Sequence, residues 1–455
     1  MDSFNAFLLT LDGYLGSAPW FPFILLGVGL FFTVYLGFPQ FRYFSHAWKI
    51  LRGKFDKPDD PGDTSHFQAL STALSGTVGT GNIGGVGLAI YIGGPAALFW
   101  MWMTAFLGMA TKFAEVTLSH EYREKAANGT MSGGPMYYLE KGLGQKWLAV
   151  CFAFFGAMAA FGIGNMVQAN TTVHALNGSL GVSSFFVGGV MMLLTGMVII
   201  GGIKRIAEVT SYLVPFMVLV YFLGALIVVL NNLDGLGAGI EMILEDAFTG
   251  TAATGGFAGA SLASTIRYGV ARGLFSNESG MGSAPIAAAA AKTNQPAKQA
   301  LVSMTGTFID TLVVCSLTAL ALSSTGVWVS GETGVALTLQ AFSEGLPGLW
   351  GKVIVTIGTV TFAFSTILAW EYYGEKCFEY LFGEKYILFY RYAWVIFVFV
   401  GAQIKLEMVW NFSDAMNALM AIPNLIGLVL LTRTLVKGTQ SFEQGIQEGS
   451  IRKLD

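Results

Sequence analysis

The sequence has few charged residues and few cysteines for its length. Of its 455 residues only 12% are Asp, Glu, Lys or Arg, against roughly 25% in typical soluble domains. The three cysteines (Cys151, Cys315 and Cys377) lie far apart, in or beside apolar segments. Together with the dispersed histidines, they indicate neither a disulfide framework nor a metal site. This composition argues against a soluble globular domain.

Several functional motifs are also missing. There is no Gly-x-x-x-x-Gly-Lys-Ser/Thr loop, which argues against an ATP-driven pump. His-x-x-x-His and Gly-x-Ser-x-Gly patterns are absent too, so nothing indicates a membrane enzyme. The chain does not open with a basic segment, and we expect no cleaved signal peptide. The net charge of −3 gives no reason to expect a nucleic-acid partner.

Long apolar segments, in contrast, recur from end to end. Hydrophobic residues make up 54% of the chain, and the mean hydropathy is +0.60. A mainly apolar helix of about eighteen residues or more can cross the hydrocarbon core. We therefore predict an all-α, multi-pass protein of the cell membrane, embedded in the lipid bilayer. The eleven predicted spans are 20–38, 66–92, 96–120, 147–170, 183–203, 206–230, 256–290, 299–322, 350–374, 386–402 and 409–432.

The distribution of Lys and Arg tests this count. The loop after the first span has five basic residues and residues 1–19 have none, so that loop should lie inside. Alternate loops should then be basic, and they are: the inside segments hold twenty Lys and Arg, whereas the outside segments hold only Lys405. The pattern predicts an N-terminus outside and a C-terminus inside. The long outside segments 231–255 and 323–349 are interpreted as solvated acidic loops.

The predicted spans divide the chain into four parts. Residues 1–65 form an accessory N-terminal helix and a basic cytoplasmic loop. Two groups of five spans follow, at 66–231 and 232–437. Residues 438–455 form a cytoplasmic tail.

One predicted span is rich in glycine at its centre. The stretch "SGTVGTGNIGG", Ser75 to Gly85, has five glycines in eleven residues, although glycine costs roughly 1 kcal/mol against alanine inside a helix. About ten residues of the span lie on either side, so each piece covers about half a bilayer. Irregular backbone at that depth is tolerated only where it lines a cavity or is buried in protein.

A second break is predicted in the run 256–290, at "GLFSNESGMGSAP", Gly273 to Pro285. After the accessory helix, the two breaks fall in the first and sixth of ten helices. Interrupted helices at corresponding places in two halves are typical of transporters built from inverted repeats. Close helix packing is the alternative interpretation. Packing glycines usually keep to one helical face, whereas those of the first break spread around the axis.

The ends of the broken helices indicate a class of substrate. The piece that starts near Thr80 to Asn82 offers free N–H groups and a partial positive charge, which suit a carboxylate. The pieces that end before each break offer unpaired carbonyls, which suit an ammonium group and a sodium ion. The combination favours an α-amino acid. Hydroxyl, carbonyl and amide oxygens would bind the sodium ion, because it is a hard cation.

The residues "GGPAALFWMWMTAFLG", Gly93 to Gly108, resemble the signature of the sodium:alanine symporter family. "GTGNIGG" and "RGLFSNESGMGSAP" are similar to the same family, over most of the chain. The resemblance implies a leucine-transporter-like fold: a 5+5 inverted repeat with discontinuous first and sixth core helices, plus one extra N-terminal helix. It also implies a symporter that carries alanine or glycine with sodium.

The motifs imply individual binding residues. "VGTGN", Val78 to Asn82, resembles the "VGLGN" of sodium-coupled leucine transporters, in which main-chain amides hold the substrate carboxylate and the asparagine binds sodium. "FSNESGMG" resembles their "FTLSLGFG", whose Phe and hydroxyl residue lie near the substrate amine. The implied substrate contacts are Thr77, Gly79, Thr80, Gly81, Phe275 and Ser276. The implied ligands of the sodium ion beside the substrate are Thr77, Asn82 and Ser276.

A second sodium site is implied by "FAFST" in the span 350–374, which matches a hydroxyl pair of the same transporters. Its implied ligands are the carbonyls of Ser75, Val78 and Phe362 and the hydroxyls of Ser365 and Thr366. The sequence departs from the pattern at Asn277 and Glu278, which replace apolar or hydroxyl residues. This departure leaves the number of bound ions and the use of protons open.

Other candidates follow from position alone. Gln168, on one helix face with Asn165, is a candidate substrate contact, although such side chains also bond neighbouring helices. Trp370 and Phe275 could close a small pocket, although aromatic residues in membrane helices often serve as anchors. Four charged residues within spans should face protein or water, as gating or structural pairs; these are Arg272, Glu278, Asp310 and Glu371.

A channel or uniporter for small polar solutes is the alternative function. Two mid-membrane breaks could line a pore, although a channel filter is more often repeated across subunits. We expect the chain to function as a monomer.

Overall fold

The computed structural model of the protein describes residues 2–16, 18, 20–53, 55, 59–127, 129–249, 262–404 and 406–447. This part of the chain is helical apart from loops and a short hairpin. In the hairpin, β1 (Glu124–Lys125) pairs antiparallel with β2 (Met131–Ser132).

The helices follow one another with short connections. The first eleven are α1 Asp2–Tyr14, α2 Trp20–Tyr35, α3 Pro39–Arg42, α4 Phe44–Leu51, α5 His66–Thr77, α6 Gly84–Gly93, α7 Ala97–Glu121, α8 Pro135–Tyr137, α9 Lys146–Ala159, α10 Val167–Leu180 and α11 Ser184–Ile199. The next eleven are α12 Gly202–Asn231, α13 Leu233–Thr249, α14 Leu262–Asn277, α15 Ala284–Ala288, α16 Pro296–Thr307, α17 Ser316–Thr325, α18 Gly334–Gly345, α19 Trp350–Phe382, α20 Ile387–Gly401, α21 Leu406–Leu430 and α22 Thr432–Gln447. Wider π-type turns join α9 to α10 (Ala160–Met166) and α16 to α17 (Phe308–Cys315).

Among the described residues, five continuous helical segments are long and apolar enough to cross a membrane. These are Lys146–Leu180, Gly202–Asn231, Pro296–Thr325, Trp350–Phe382 and Met408–Leu430. Large apolar side chains on their outer faces are well exposed, among them Phe216 and Leu219 on α12. Extensive exposed apolar surface of this kind marks a membrane-facing protein.

Helices cover most of every predicted span, but helices also form outside the spans: α3 and α4 lie in the predicted basic loop, and part of α22 lies in the predicted tail. The segments interpreted as solvated loops contain α13 and α18. Both helices are amphipathic and α13 carries acidic residues, so a search for long apolar runs passes over them. The predicted span 256–290 begins in 256–261, which lies outside the described residues; the remainder forms α14 and α15.

The interrupted helices lie inside the bundle. Helix α19 packs against α5, α9 and α12, while α7 packs against α14 and α16. The chain enters α5 through a capping box, in which Ser65 Oγ accepts the Gln68 amide (3.2 Å) and Gln68 Oε1 accepts the Ser65 amide (3.1 Å). Such a cap satisfies otherwise free N–H groups and fixes where the helix begins.

Candidate transport site

The first interruption lies between α5 and α6, where the glycine pattern predicts it. The last helical bond runs from the Val78 amide to the Leu74 carbonyl (2.7 Å). The chain then extends through Gly79 and forms a short 3₁₀ turn over Thr80–Asn82. Asn82 Oδ1 accepts the Gly79 amide (2.9 Å) and braces this turn. Asn82 does not cap α6, whose N-cap position is Ile83 and has no side-chain cap.

The second interruption lies between α14 and α15. Helix α14 ends at Asn277, and Glu278 adopts a left-handed conformation with φ of 56°. Gly280 (φ 86°) and Gly282 (φ 82°) share that region, which glycine enters without steric cost. The glycines of "SNESGMG" thus allow the chain to leave one helix and start another.

Three buried polar side chains satisfy the backbone of this second interruption, and sequence reasoning did not single them out. Lys112 Nζ on α7 donates to the Glu278 carbonyl (3.1 Å), and Asn424 Nδ2 on α21 donates to the Gly280 carbonyl (2.8 Å). Glu115 Oε1 on α7 accepts from Asn424 Nδ2 (2.7 Å) and from a backbone amide of the same segment. The available signal was the cost of burying Lys112 and Glu115 within an apolar span.

The two interruptions enclose a small cavity of about 10 Å³. This space holds about one water molecule. Its lining residues are Gly76, Thr77, Gly79, Gly81, Ile163, Gln168, Phe275, Glu278, Thr366 and Trp370. Six of the eight predicted substrate contacts are in this set. The other two lie elsewhere: Thr80 lines a larger cavity, and the Ser276 hydroxyl faces Asp310.

Trp370 and Gln168 are fixed at the cavity wall by their own hydrogen bonds. Trp370 Nε1 donates to Glu278 Oε1 (2.9 Å), and Glu278 Oε2 accepts from Ser283 Oγ (2.6 Å). Gln168 Nε2 donates to the Ile163 carbonyl (2.9 Å). Within the described part of the chain, Gln168 Oε1 has no hydrogen-bond partner. It is an acceptor available to a ligand.

Asp310 lies beside the cavity in a cluster of buried polar groups. Its carboxylate accepts from Asn82 Nδ2 (2.7 Å), Ser276 Oγ (2.9 Å) and Thr311 Oγ1 (2.7 Å), and the residue is 0% exposed. It sits on the π-type turn Phe308–Cys315, a feature that is frequent at functional sites. The ion pairs found among the described residues do not include Asp310. A buried carboxylate with only neutral donors suits a bound cation.

A second oxygen-rich cluster joins α19 to the end of α5. Ser365 Oγ lies 3.4 Å from the Ser75 carbonyl and 2.9 Å from the Phe362 carbonyl. Thr366 Oγ1 lies 2.9 Å from the same Phe362 carbonyl. A Cβ atom on Gly79 would approach Thr366 Oγ1 to 2.6 Å, so the close contact requires glycine. Val78, the remaining predicted ligand, is fully buried directly after α5.

A larger cavity of about 590 Å³, here called the vestibule, adjoins the first interruption. Thr80, Gly84 and Leu88 form one wall, and Arg272 and Asp414 lie at its edge. Arg272 NH2 is 3.6 Å from Asp414 Oδ2, and its guanidinium lies 5.4 Å from the rings of both Phe275 and Trp410.

The ends of α5 and α15 that are remote from the vestibule are tied together. The Asp63 amide donates to the Ala290 carbonyl (2.7 Å), and the Lys292 amide donates to the Thr64 carbonyl (2.8 Å). Arg123 on the loop after α7 donates to four further carbonyls, those of Pro61, Ala289, Ala291 and Thr293. We call these contacts the inner closure. They join the segment before α5 to the segment after α15.

The fold and this site define a membrane transporter with a ligand cavity between two interrupted helices. A sequence profile of the sodium:alanine symporter family matches residues 1–455. The sodium/alanine symporter AgcS of Methanococcus maripaludis is 50% identical over 96% of this chain and 97% of its own length. The chain therefore belongs to the sodium:alanine symporter family, a family of transporters and not of enzymes, as the sequence motifs indicated.

More distant relatives show how far the similarity to this family extends. The "Probable sodium/glutamine symporter GlnT" of Bacillus subtilis is 36% identical over 94% of this chain and 88% of its own length. Among solved structures, a manganese transporter of Eremococcus coleocola aligns with a TM-score of 0.50 and 12% identity, over 84% of this chain and 82% of that one. This likeness concerns the fold alone. In the described residues, no three His, Cys, Asp or Glu side chains gather as metal ligands.

Proposed function

We propose that the protein is a sodium-coupled symporter of small amino acids, alanine and glycine, and that it works by alternating access across the cell membrane. One observation carries this proposal. Two interrupted helices meet at a small cavity beside two clusters of oxygen atoms, one of which contains a buried carboxylate.

The proposed architecture is a leucine-transporter-like 5+5 inverted repeat preceded by one accessory helix, with eleven spans and the N-terminus outside. The repeats are residues 66–231 and 232–437. The interruptions after α5 and after α14 occupy corresponding places in them. The vestibule would then open outward, and the inner closure would lie on the cytoplasmic side.

The substrate carboxylate would bind the amides of Thr80 and Gly81. These two amides lie before the first hydrogen bond within the turn, which runs from the Asn82 amide to the Gly79 carbonyl (3.2 Å). The N–H groups at the start of a helical turn attract anions. The ammonium group would face the end of α14 near Phe275 and Ser276. Gln168 Oε1 is a further acceptor in the same cavity.

The cavity supports selection for small side chains. Because it holds about one water molecule, any amino acid must push its walls outward, and each added methylene makes this harder. Trp370 is held in place by Glu278 and therefore resists that movement. The name of one relative specifies alanine, which agrees with a preference for small amino acids. Another relative is named as a probable glutamine symporter, so the size preference needs a direct test.

Two sodium ions would bind beside the substrate. At the first site, Asp310 would join Thr77, Ser276 and the amide oxygen of Asn82, which also accepts the Gly79 amide. Asp310 would supply the negative charge that the other three lack. At the second site, the ligands would be the carbonyls of Ser75, Val78 and Phe362 and the hydroxyls of Ser365 and Thr366. Hard cations prefer such oxygen ligands.

Uptake of labelled alanine into proteoliposomes tests this function. Sodium, potassium and proton gradients are imposed one at a time, and we expect only the sodium gradient to drive accumulation. Glycine should compete, whereas glutamine should not. Accumulation that follows the proton gradient alone would contradict sodium coupling.

The alternative is a channel or uniporter for small polar solutes. Counterflow separates the alternatives, because unlabelled alanine loaded inside accelerates labelled uptake through a carrier but not through a pore. Accumulation against a concentration gradient further separates a symporter from a uniporter. A single copy per liposome should suffice, since we propose a functional monomer.

A further inference from the structure

A third cavity lies beside the transport site and shares Leu88, Arg272 and Asp414 with the vestibule. Its volume is about 280 Å³, close to the lower end of the roughly 300–1,000 Å³ found for ligand pockets. The accessory helix α2 forms one wall through Phe21 and Leu25. Helices α6, α14 and α21 supply the others, and we call this space the accessory cavity.

The accessory cavity contains buried polar groups whose hydrogen bonds are not made within the described chain. Asn417 is only 3% exposed, yet neither its amide nitrogen nor its amide oxygen has a partner among the described residues. The same holds for Nε and NH1 of Arg272. The third nitrogen of Arg272 is 3.6 Å from Asp414, which is an ion pair too long for a hydrogen bond. Buried groups left in this state are rare and call for an explanation.

The unused groups match the two ends of an amino acid. The N–H groups of Arg272 and the Asn417 amide nitrogen can donate to a carboxylate. The Asp414 carboxylate and the Asn417 amide oxygen can accept from an ammonium group. A zwitterion leaves the net charge of this lining, which also includes Arg267, unchanged, whereas a simple anion or cation changes it.

Much of the remaining lining is apolar and favours an apolar side chain, although Arg267 and Tyr268 also line the cavity. Phe21, Leu25, Leu88 and Ile92 surround the polar groups with aromatic and aliphatic surface. We propose that the accessory cavity binds an α-amino acid with an apolar side chain larger than that of alanine, of about the size of leucine. This site is distinct from the small transport cavity, which would have to widen more for such a ligand than for alanine.

The two sites share one wall. Phe275 lines both the accessory cavity and the small transport cavity. A ligand in the accessory cavity therefore contacts a ring that also bounds the transported substrate. Binding at either site would change the affinity of the other site through that ring, and the factor would be the same in both directions.

Binding of radiolabelled leucine to the purified full chain in nanodiscs tests the proposal without measuring transport. Sodium and saturating unlabelled alanine are present throughout, so that the transport site is occupied. We expect saturable binding of leucine that alanine does not displace. Two probes that each keep the side chain and one end group, 4-methylpentanoate and 3-methylbutylamine, should each bind at least about tenfold more weakly.

The decisive variant is Asn417→Leu, which keeps the shape of the side chain and removes the buried amide. Leucine binding should weaken by at least about tenfold. Thermal unfolding should show a variant at least as stable as the unmodified chain, because an unsatisfied buried amide has been removed. Asn411→Leu on the same helix is the matched control, since the Asn411 amide is directed to Asn5 (3.1 Å) and does not line the cavity.

Absence of saturable leucine binding under these conditions overturns the proposal. So does equal binding by the unmodified chain and the Asn417→Leu variant, or displacement of leucine by alanine at one shared site. None of these results bears on sodium-driven alanine uptake, which is measured separately. The two proposals can therefore fail independently.

Discussion

The amide nitrogen of Asn82 lies 2.7 Å from Asp310 Oδ1, although 228 positions separate the two residues in the chain. The amide oxygen of Asn82 is directed instead to the Gly79 amide at 2.9 Å. Asn82 therefore connects the turn of the first interruption to a buried carboxylate on the π-type turn between α16 and α17, and Ser276 at the end of α14 donates to the same carboxylate. An ion at Asp310 would act on both interrupted helices at once.

Asp310→Asn should weaken sodium coupling strongly. The variant keeps the size of the side chain but removes the charge that would balance the ion, and a hydrogen bond to a charged group is worth about 1.5–3 kcal/mol. The sodium concentration for half-maximal alanine uptake should rise by about tenfold or more. This is measured in proteoliposomes over a sodium series.

Asp234→Asn is the matched control, because Asp234 is exposed on α13. It should leave the sodium dependence unchanged. Asn82→Ser removes the amide that bonds both Gly79 and Asp310, and it should also raise the sodium requirement. If Asp310→Asn transports with unmodified sodium dependence, the first proposed sodium site is wrong.

Thr366→Val should also raise the sodium requirement, through the second proposed site. Valine has nearly the shape of threonine, so the contact with Gly79 is kept while the hydroxyl is lost. Half-maximal uptake should need several times more sodium, and alanine affinity at low sodium should fall as well, because coupling is reciprocal.

Thr361→Val, at a half-buried position of the same helix, is the control for Thr366→Val. The Thr361 hydroxyl bonds only back to its own helix, at the Ile357 carbonyl (2.8 Å). Hydroxyls of this kind form hydrogen bonds with carbonyls in the preceding turn of their own helix. A Ser365→Ala, Thr366→Val double variant with ordinary sodium dependence would exclude these side chains as ligands.

The glycine pattern and the hydroxyl pair were enough to predict much of the site. Both interruptions occur where five glycines and "SNESGMG" predicted them, and Ser365 does approach the Ser75 carbonyl. The role of Asp310 could not be predicted in the same way. A buried carboxylate has many uses, and its partners Asn82 and Ser276 are known only once three helices have packed together.

The side-chain hydrogen bonds that hold the backbone of the second interruption were the least predictable part of the site. Asn424 bonds to both Glu115 and the Gly280 carbonyl, across 309 and 144 positions. Nothing local to the sequence marks such a contact. Helices α13 and α18 were missed for a different reason, since their amphipathic surfaces do not form the long apolar runs that identify spans.

Gly164→Ala should destabilise the protein and reduce transport. A Cβ atom there would lie 2.0 Å from Trp370 Cβ, so the backbone of α19 at Trp370 must shift. Overpacking of this kind costs about 1–3 kcal/mol. The displaced Trp370 would also strain its bond to Glu278 and narrow the cavity. Thermal unfolding and alanine uptake measure the two effects.

Gly189→Ala on α11 is the control for Gly164→Ala, because a Cβ atom there meets nothing within 4 Å. Alanine in an open helical position should stabilise by about 0.5–1 kcal/mol. If both variants unfold at the temperature of the unmodified chain, Trp370 is not tightly packed at the cavity wall.

Arg123→Lys should loosen the inner closure. The guanidinium reaches four carbonyls on both sides of the contact, and an ammonium group cannot span the same set. The amides of Asp63 and Lys292 are hydrogen-bonded across this contact. Hydrogen exchange at these amides should therefore accelerate several-fold, as measured by mass spectrometry of the peptides that contain them.

Arg433→Lys, at an exposed position, is the control. Under alternating access, a weaker closure shifts the population toward the inward-facing state, and apparent alanine affinity from the outside should fall. Unchanged exchange at Asp63 and Lys292 in Arg123→Lys would show that the backbone bonds alone hold this side shut.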